Sequence, residues 1–140
     1  MSHTLAIVKP DSFAAGNAGK ILAHLEREGF RIRGAKVLRL TRAQAEGFYA
    51  VHRERPFFGS LVEFMTSGPC MPVALSREDA VAHLRKVMGA TNPASSDEGT
   101  IRKLYGGSIE RNAIHGSDSV ENAAKETAFF FSEAELLAAT

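Results

Sequence analysis

Thr4-Leu5-Ala6-Ile7-Val8 is an almost unbroken apolar run near the head of the chain, the pattern of a strand buried on both faces. Lys9-Pro10-Asp11 ends it, because proline brings no ladder donor. Ala18, Ile21, Leu22 and Leu25 then recur at i, i+3, i+4 and i+7, which predicts an amphipathic helix that Gly29 closes. Arg31–Leu40 reads as a second strand, and its alternation slips phase near Val37-Leu38, where a bulge is expected. Thr41-Arg42-Ala43-Gln44 has the form of a capping box, opening a helix with Ala45, Phe48, Tyr49 and His52 on one face. Arg55-Pro56-Phe57-Phe58-Gly59 interrupts, and a short helix through Leu61, Val62 and Met65 follows.

Cys70 to Leu75 is a third strand, and Pro72 argues for a place near a sheet edge. Ser76 is expected to cap a helix that carries Glu78 and Asp79 in its first turn and turns Val81, Leu84 and Met88 inward. Gly89–Asn112 is a long polar, Gly-rich stretch of the kind that usually carries function. Ala113-Ile114-His115 is the last short strand, and Asp118-Ser119-Val120-Glu121 an acidic capping box for a helix over Ala123, Ala124 and Thr127. The order predicts an α+β fold on a βαββαβ core, one strand of which lacks clear limits. No repeat or linker divides the chain, so one domain over residues 1–140 is expected.

Composition narrows the function classes. A formal net charge of +1 offers no general field for nucleic acid or anionic membranes, so anions must be met by a few placed cations. The lone Cys70 sits among apolar neighbours and makes no internal disulfide. There is no secretory signal pattern and no apolar run of membrane-spanning length, so the expected location is the cytoplasm.

The sharpest chemistry lies in Asn112-Ala113-Ile114-His115-Gly116-Ser117-Asp118. A histidine at a strand end before a helix cap faces solvent or ligand. Free imidazole is largely unprotonated at neutral pH and is a competent nucleophile once its second nitrogen is held. Glu126, two turns into the following helix, is the candidate that orients it, and Gly116 is expected to let a substrate approach closely. Arg85, Thr91 and Arg102, on and beside the long loop, are the phosphate-binding candidates. Gly16-Asn17-Ala18-Gly19-Lys20-Ile21 fails as a P-loop, since its glycines are too close and Ile21 stands where magnesium needs Ser or Thr. His3, His24 and His83 read as surface or packing residues, and no His/Cys/Asp/Glu set has zinc-site spacing.

The run Asn112–Asp118 resembles the signature of nucleoside diphosphate kinases. Lys9-Pro10-Asp11, Arg55-Pro56-Phe57-Phe58, Thr66-Ser67-Gly68-Pro69, Gly89-Ala90-Thr91-Asn92-Pro93 and Gly99-Thr100-Ile101-Arg102 are similar to that family in the same order, across about residues 4–131. The resemblance implies a ferredoxin-like domain, with a four-stranded antiparallel sheet covered by helices. It also implies ping-pong transfer of a terminal phosphoryl group between nucleotides of any base. His115 would become phosphohistidine, with Glu126 and Ser117 ordering its surroundings and Tyr49 against the ring. Arg85, Thr91, Arg102 and His52 would bind phosphates. Lys9 and Asn112 would meet the ribose, Lys9 also lying near the transferred group, while Phe57 and Ile109 sandwich the base. Mg²⁺ would arrive with the nucleotide, held mainly by phosphate oxygens and by no protein cage. A homo-oligomer is implied, without its size.

The run Arg102–Gly107 departs from the family pattern without removing a proposed catalytic group, and Ser132–Thr140 is the least diagnostic part. A nucleotide- or nucleic-acid-binding module on the same core, of the kind RNA-binding domains form, is disfavoured by the clustered Phe57-Phe58 and Phe129-Phe130-Phe131 and the balanced charge. A catalytically dead relative is disfavoured while His115, Glu126, Lys9, Arg85 and Arg102 are all present.

Overall fold

A computed structural model describes residues 1–139; Thr140, the last residue of the undiagnostic tail, lies outside them. Strand β1 (Ser2–Val8) leads through the short helix α1 (Pro10–Ala14) and α2 (Ala18–Arg27) to β2 (Arg31–Ala35). Helices α3 (Arg42–Phe48) and α4 (Phe58–Met65), with a 3₁₀ turn at Ala50–His52 between them, precede β3 (Met71–Arg77). Then come α5 (Ala80–Met88), α6 (Ile101–Tyr105), β4 (Ile114–Gly116), α7 (Val120–Phe130) and α8 (Glu133–Ala138). The strands form one antiparallel sheet in the order β2-β3-β1-β4, the ferredoxin-like arrangement.

β1 shows why its sequence is apolar throughout. Ala6 and Val8 enter the core under α2 and α5, while Leu5 and Ile7 enter the core under α3 and α4. The period of two therefore feeds both faces. Thr41 caps α3 as expected, accepting from the Gln44 N–H while the Gln44 amide accepts from the Thr41 N–H. Gly29, at φ +87°, closes the turn after α2 in a conformation that favours glycine.

Several boundaries differ from expectation, each for a local reason. Pro72 lies in β3, an inner strand rather than an edge. Its carbonyl accepts from the Lys36 N–H at 3.1 Å, so the donor it lacks faces the chain just past the end of β2. Leu38 and Cys70 restore reciprocal bonds two residues on, at 3.0 and 2.8 Å. The register slip falls between Ile32 and Gly34, not at Val37-Leu38; Val37 is an apolar side chain on an outward position, 61% exposed.

Ser76 is buried within β3 and caps nothing. Helix α5 begins after Asp79, and its first N–H donates to the Ser2 hydroxyl of β1 at 2.8 Å, a cap supplied from 78 residues away. Val81 is half-buried, while Ala80, Leu84, Val87 and Met88 form the inward face. The long stretch 89–112 holds a 3₁₀ turn at Pro93–Ser95 and α6, capped by Thr100. The cap of α7 is Ser119, accepting from Asn122, one residue later than expected. The tail forms α8, whose Leu136 carbonyl accepts from Arg33 of β2 at 2.9 Å.

Gly116 has a packing role rather than the expected one of admitting substrate. It pairs with Ala6, and a Cβ there would come within 2.3 Å of the buried Met88 sulfur and 3.0 Å of Leu84. The missing side chain lets α5 sit directly on β4. Gly116→Ala should therefore cost about 1–3 kcal/mol by overpacking, read as a lower melting temperature in circular dichroism. An unchanged melt would show that α5 does not press on this strand.

Candidate active site

β4 is an edge strand of three residues, and His115 is its centre, paired with Ile7 across the ladder. The strand is introduced by Ala113 at φ +77°, a conformation unfavourable for an L side chain by about 1–2 kcal/mol. Two groups pin it: the Ala113 N–H donates to Asp11 Oδ2 at 3.1 Å, and the Ala113 carbonyl accepts from the Lys9 N–H at 2.9 Å. The segment Lys9-Pro10-Asp11 thus clamps the approach to His115. In the sequence Asp11 stands out only as part of the Lys9-Pro10-Asp11 motif, and no local signal marks this role.

His115 faces the side of the sheet covered by α3 and α7. Its Nε2 lies 2.7 Å from Glu126 Oε1, and the Ser117 hydroxyl donates to the same oxygen at 2.8 Å. A carboxylate only accepts, so Nε2 carries the proton and Nδ1 is left as the basic nitrogen. Phe48 stands edge-on to the imidazole at 5.4 Å between centroids and Tyr49 at 6.2 Å. Tyr49 Oη is buried without a hydrogen-bond partner among the described residues, and burial raises its pKa, so the ring rather than the hydroxyl meets His115. Phe48 is the nearer ring. Its sequence signal was only a place on the inward face of α3. Phe129 and Phe130 pack against Phe48 in turn.

The cations expected to bind phosphate converge on the other edge of β4. Arg102 of α6 donates to the Ile114 carbonyl at 2.8 Å, and Arg85 of α5 to the Gly116 carbonyl at 3.2 Å. Two guanidinium groups therefore bracket His115 through its neighbours' backbone. Lys9 Nζ donates to Asn112 Oδ1 at 2.8 Å, and the Asn112 amide donates to the Thr91 carbonyl at 3.0 Å. Lys9 and Arg102 are only 7% and 6% exposed. Burial, with Arg102 nearby, lowers the Lys9 pKa to about 8; burial, with Arg85 nearby, lowers that of Arg102 to about 10. Among the described residues no carboxylate pairs with any of the three within 4.0 Å. Buried like charges without partners are costly unless an anion joins them. Thr91 is exposed beside this group.

Phe57 and Ile109 are large apolar side chains left 46% and 61% exposed. His52 stands against Phe57, ring centroids 5.5 Å apart, so the structure groups it with that aromatic. No cluster of three or more His, Cys, Asp or Glu able to hold a metal ion occurs among the described residues. His24 and His83 lie away from the site; burial lowers the pKa of the first, and the second pairs with Glu28 at 3.0 Å.

Residues 2–136 match the family model described as nucleoside diphosphate kinase. The chain belongs to the nucleoside diphosphate kinase family. It is 56% identical over 137 residues to the nucleoside diphosphate kinase of Chlorobium chlorochromatii, covering 98% of both chains. The nucleoside diphosphate kinase structure from Aquifex aeolicus superposes with a TM-score of 0.94 at 45% identity, over 96% of this chain and 97% of that one. The enzyme from Halobacterium salinarum, solved in complex with CDP, gives 0.91 at 38% identity, over 96% and 90%. The chain is accordingly an enzyme, a kinase acting on nucleotides.

The lowered Lys9 pKa has a stability consequence with a definite sign. Between about pH 8 and its ordinary 10.5, the unfolded chain binds a proton that the native state has released, so stability rises with pH in that window. Ligand-free protein should gain about 1–2 kcal/mol between pH 7.5 and 9.5 in denaturant titrations, and Lys9→Met should lose that gain. Parallel profiles for the two proteins would show that Lys9 is not held in a depressed state.

Proposed function

We propose that the chain carries the terminal phosphoryl group of a nucleoside triphosphate on Nδ1 of His115 and delivers it to a nucleoside diphosphate. One observation carries this reading: the imidazole is held through Nε2 by Glu126 at 2.7 Å while Arg85 and Arg102 bracket it on β4. Nδ1 attacks the terminal phosphorus in line, and the bond to the bridging oxygen breaks as the diphosphate leaves. The positive charge that develops on the ring is met through Nε2–H by the Glu126 carboxylate, whose position Ser117 fixes. The terminal oxygen of an acceptor diphosphate then attacks the same phosphorus, and the P–N bond breaks. Lys9, Arg85 and Arg102 stabilise the charge on the phosphoryl oxygens, with Thr91 and His52 as further phosphate contacts. Lys9 and Asn112, already bonded to each other, present a donor and an acceptor to ribose hydroxyls. Tyr49, with Phe48, sets the plane of the imidazole.

Mg²⁺ suits this site as a companion of the nucleotide. The protein side is cationic and has no cage of carboxylates among the described residues, so phosphate oxygens would hold the ion and the ion would spread their charge. The CDP in the Halobacterium salinarum structure supports nucleotide occupancy here too.

We further propose one catalytic domain spanning residues 1–140, acting in the cytoplasm as a homo-oligomer. The shared sheet between two cores supports the first part. For the second, no helix among the described residues is long and apolar enough to cross a membrane. For the third, an apolar groove of about 730 Å³ between the sheet and α7–α8, beside the 73% exposed Val120, offers surface to a second copy. Light scattering at micromolar concentration should give a multiple of the chain mass; a monomer would contradict it.

Incubation with labelled ATP and no acceptor should leave an acid-labile, alkali-stable label on the wild type and none on His115→Ala. Label of that stability on the variant would remove His115 as the carrier.

Base recognition through Phe57 and Ile109 is stacking and van der Waals contact, which every base satisfies. GDP, CDP, UDP and dTDP should all accept from ATP, with kcat/KM spread over roughly one to two orders of magnitude. Turnover confined to one base would reveal an edge-reading contact.

A further inference from the structure

The two side chains proposed to sandwich the base belong to segments far apart in sequence. Phe57 precedes α4, and Ile109 lies in the loop before β4. The structure ties these segments together beside the base site. Ser60 Oγ, in the first turn of α4, lies 2.9 Å from Glu110 Oε2 and 3.0 Å from the Phe57 carbonyl. One hydroxyl proton serves one acceptor at a time, and the carboxylate is the stronger. The Phe57 carbonyl accepts from the Leu61 N–H at 2.9 Å, so it keeps a partner when the Ser60 proton goes to Glu110. A second tether runs parallel to it: the Arg111 guanidinium sits over the Phe64 ring at 4.9 Å, one turn further along α4. The loop itself is closed, with Gly107 N–H donating to the Arg111 carbonyl at 2.8 Å and Arg111 N–H to the Ser108 hydroxyl at 3.1 Å.

From this geometry we propose that Ser60 and Glu110 form a clasp that sets the separation of Phe57 and Ile109, making both of them positioning residues for the nucleotide base. The inference deepens the base site proposed above and rests on it. A closed, internally bonded loop transmits a side-chain tether to its neighbour, so holding Glu110 holds Ile109. The clasp spends no substrate binding energy on ordering the two lips, because they are joined before the base arrives. Its loss leaves the chemistry at His115 intact and weakens capture. The signature is therefore a raised KM with little change in kcat.

Glu110 also raises the charge preference of Lys9, so a carboxylate variant alone would mix two effects. Ser60 separates them, since it carries no charge. Steady-state kinetics with Mg²⁺–ATP and each acceptor diphosphate should be run on Ser60→Ala, Glu110→Ala, the double variant and Ser60→Thr. Ser60→Ala should raise KM for all nucleotides by roughly 2- to 10-fold, the loss of one hydrogen bond, with kcat within about twofold. The double variant should be no worse than Glu110→Ala, and Ser60→Thr, which keeps the hydroxyl, should restore KM. Melting temperatures should be unaffected, as the pair is exposed. A silent Ser60→Ala, or additive effects in the double variant, overturns the clasp. Phe57→Ala is the control for the underlying site: if it leaves KM unchanged, the base lies elsewhere and both readings fall. If Phe57→Ala raises KM while Ser60→Ala does not, the clasp alone falls.

Discussion

The short contact between Glu126 and His115 Nε2 sets what the rest of the site can do. It is made by residues 11 positions apart, and it requires β4 to end, the chain to turn through Ser117 and Asp118, and α7 to run back over the sheet. Ser119 caps that helix, and Asp118 Oδ1 takes a further bond from Asn122 at 2.7 Å, so the turn is rigid. The Asn122 bond, with Arg85 and His115 nearby, holds the Asp118 carboxyl below its usual range and therefore ionised. An imidazole tethered at one nitrogen, with its plane set by Phe48 and Tyr49, presents the other nitrogen in one direction only. Ping-pong phosphoryl transfer needs that directionality twice, once in each half-reaction.

The second constraint is electrostatic and opposes the fold. Lys9 and Arg102 are buried close to one another, and Arg85 adds a third positive charge; Asp11 and Glu110 offset this at Lys9 only in part, and no carboxylate among the described residues pairs with any of the three within 4.0 Å. Burial and mutual repulsion both disfavour the charged forms of Lys9 and Arg102. The polyphosphate proposed to bind here would reverse the balance. The groups that cost stability are the groups proposed to bind phosphate, a common relation between stability and function at active sites. Backbone carbonyls of β4 hold the two guanidinium groups in place, which would present preset donors to the proposed anion.

Much of this was legible in sequence, for physical reasons that differ by element. Buried β1 announced itself by composition, α2 by its period and α3 by its capping box, all local signals. The histidine segment and its five companion motifs identified the family and the ferredoxin-like sheet. What escaped the sequence depends on distant partners. Ser2 caps α5 from another strand, so no local signal marks where that helix begins. Pro72 sits in an inner strand because its missing donor falls past the end of β2. Gly116 is small to admit Met88, not substrate. Asp11 and Phe48 act on His115 through contacts that only the folded chain brings together. Arg85 and Arg102 converge through the carbonyls of β4, at separations of 31 and 12 residues, which spacing alone does not encode.

The central claim is that Glu126 decides which nitrogen of His115 reacts. Phosphorus–nitrogen coupling in the phosphoenzyme, prepared with nitrogen-15 in histidine and kept at alkaline pH, reads the bonded atom directly. Phosphorus on Nδ1, with Nε2 still protonated and hydrogen-bonded, is the expected result. Phosphorus on Nε2 would mean that the bond to Glu126 breaks before reaction, and would contradict it.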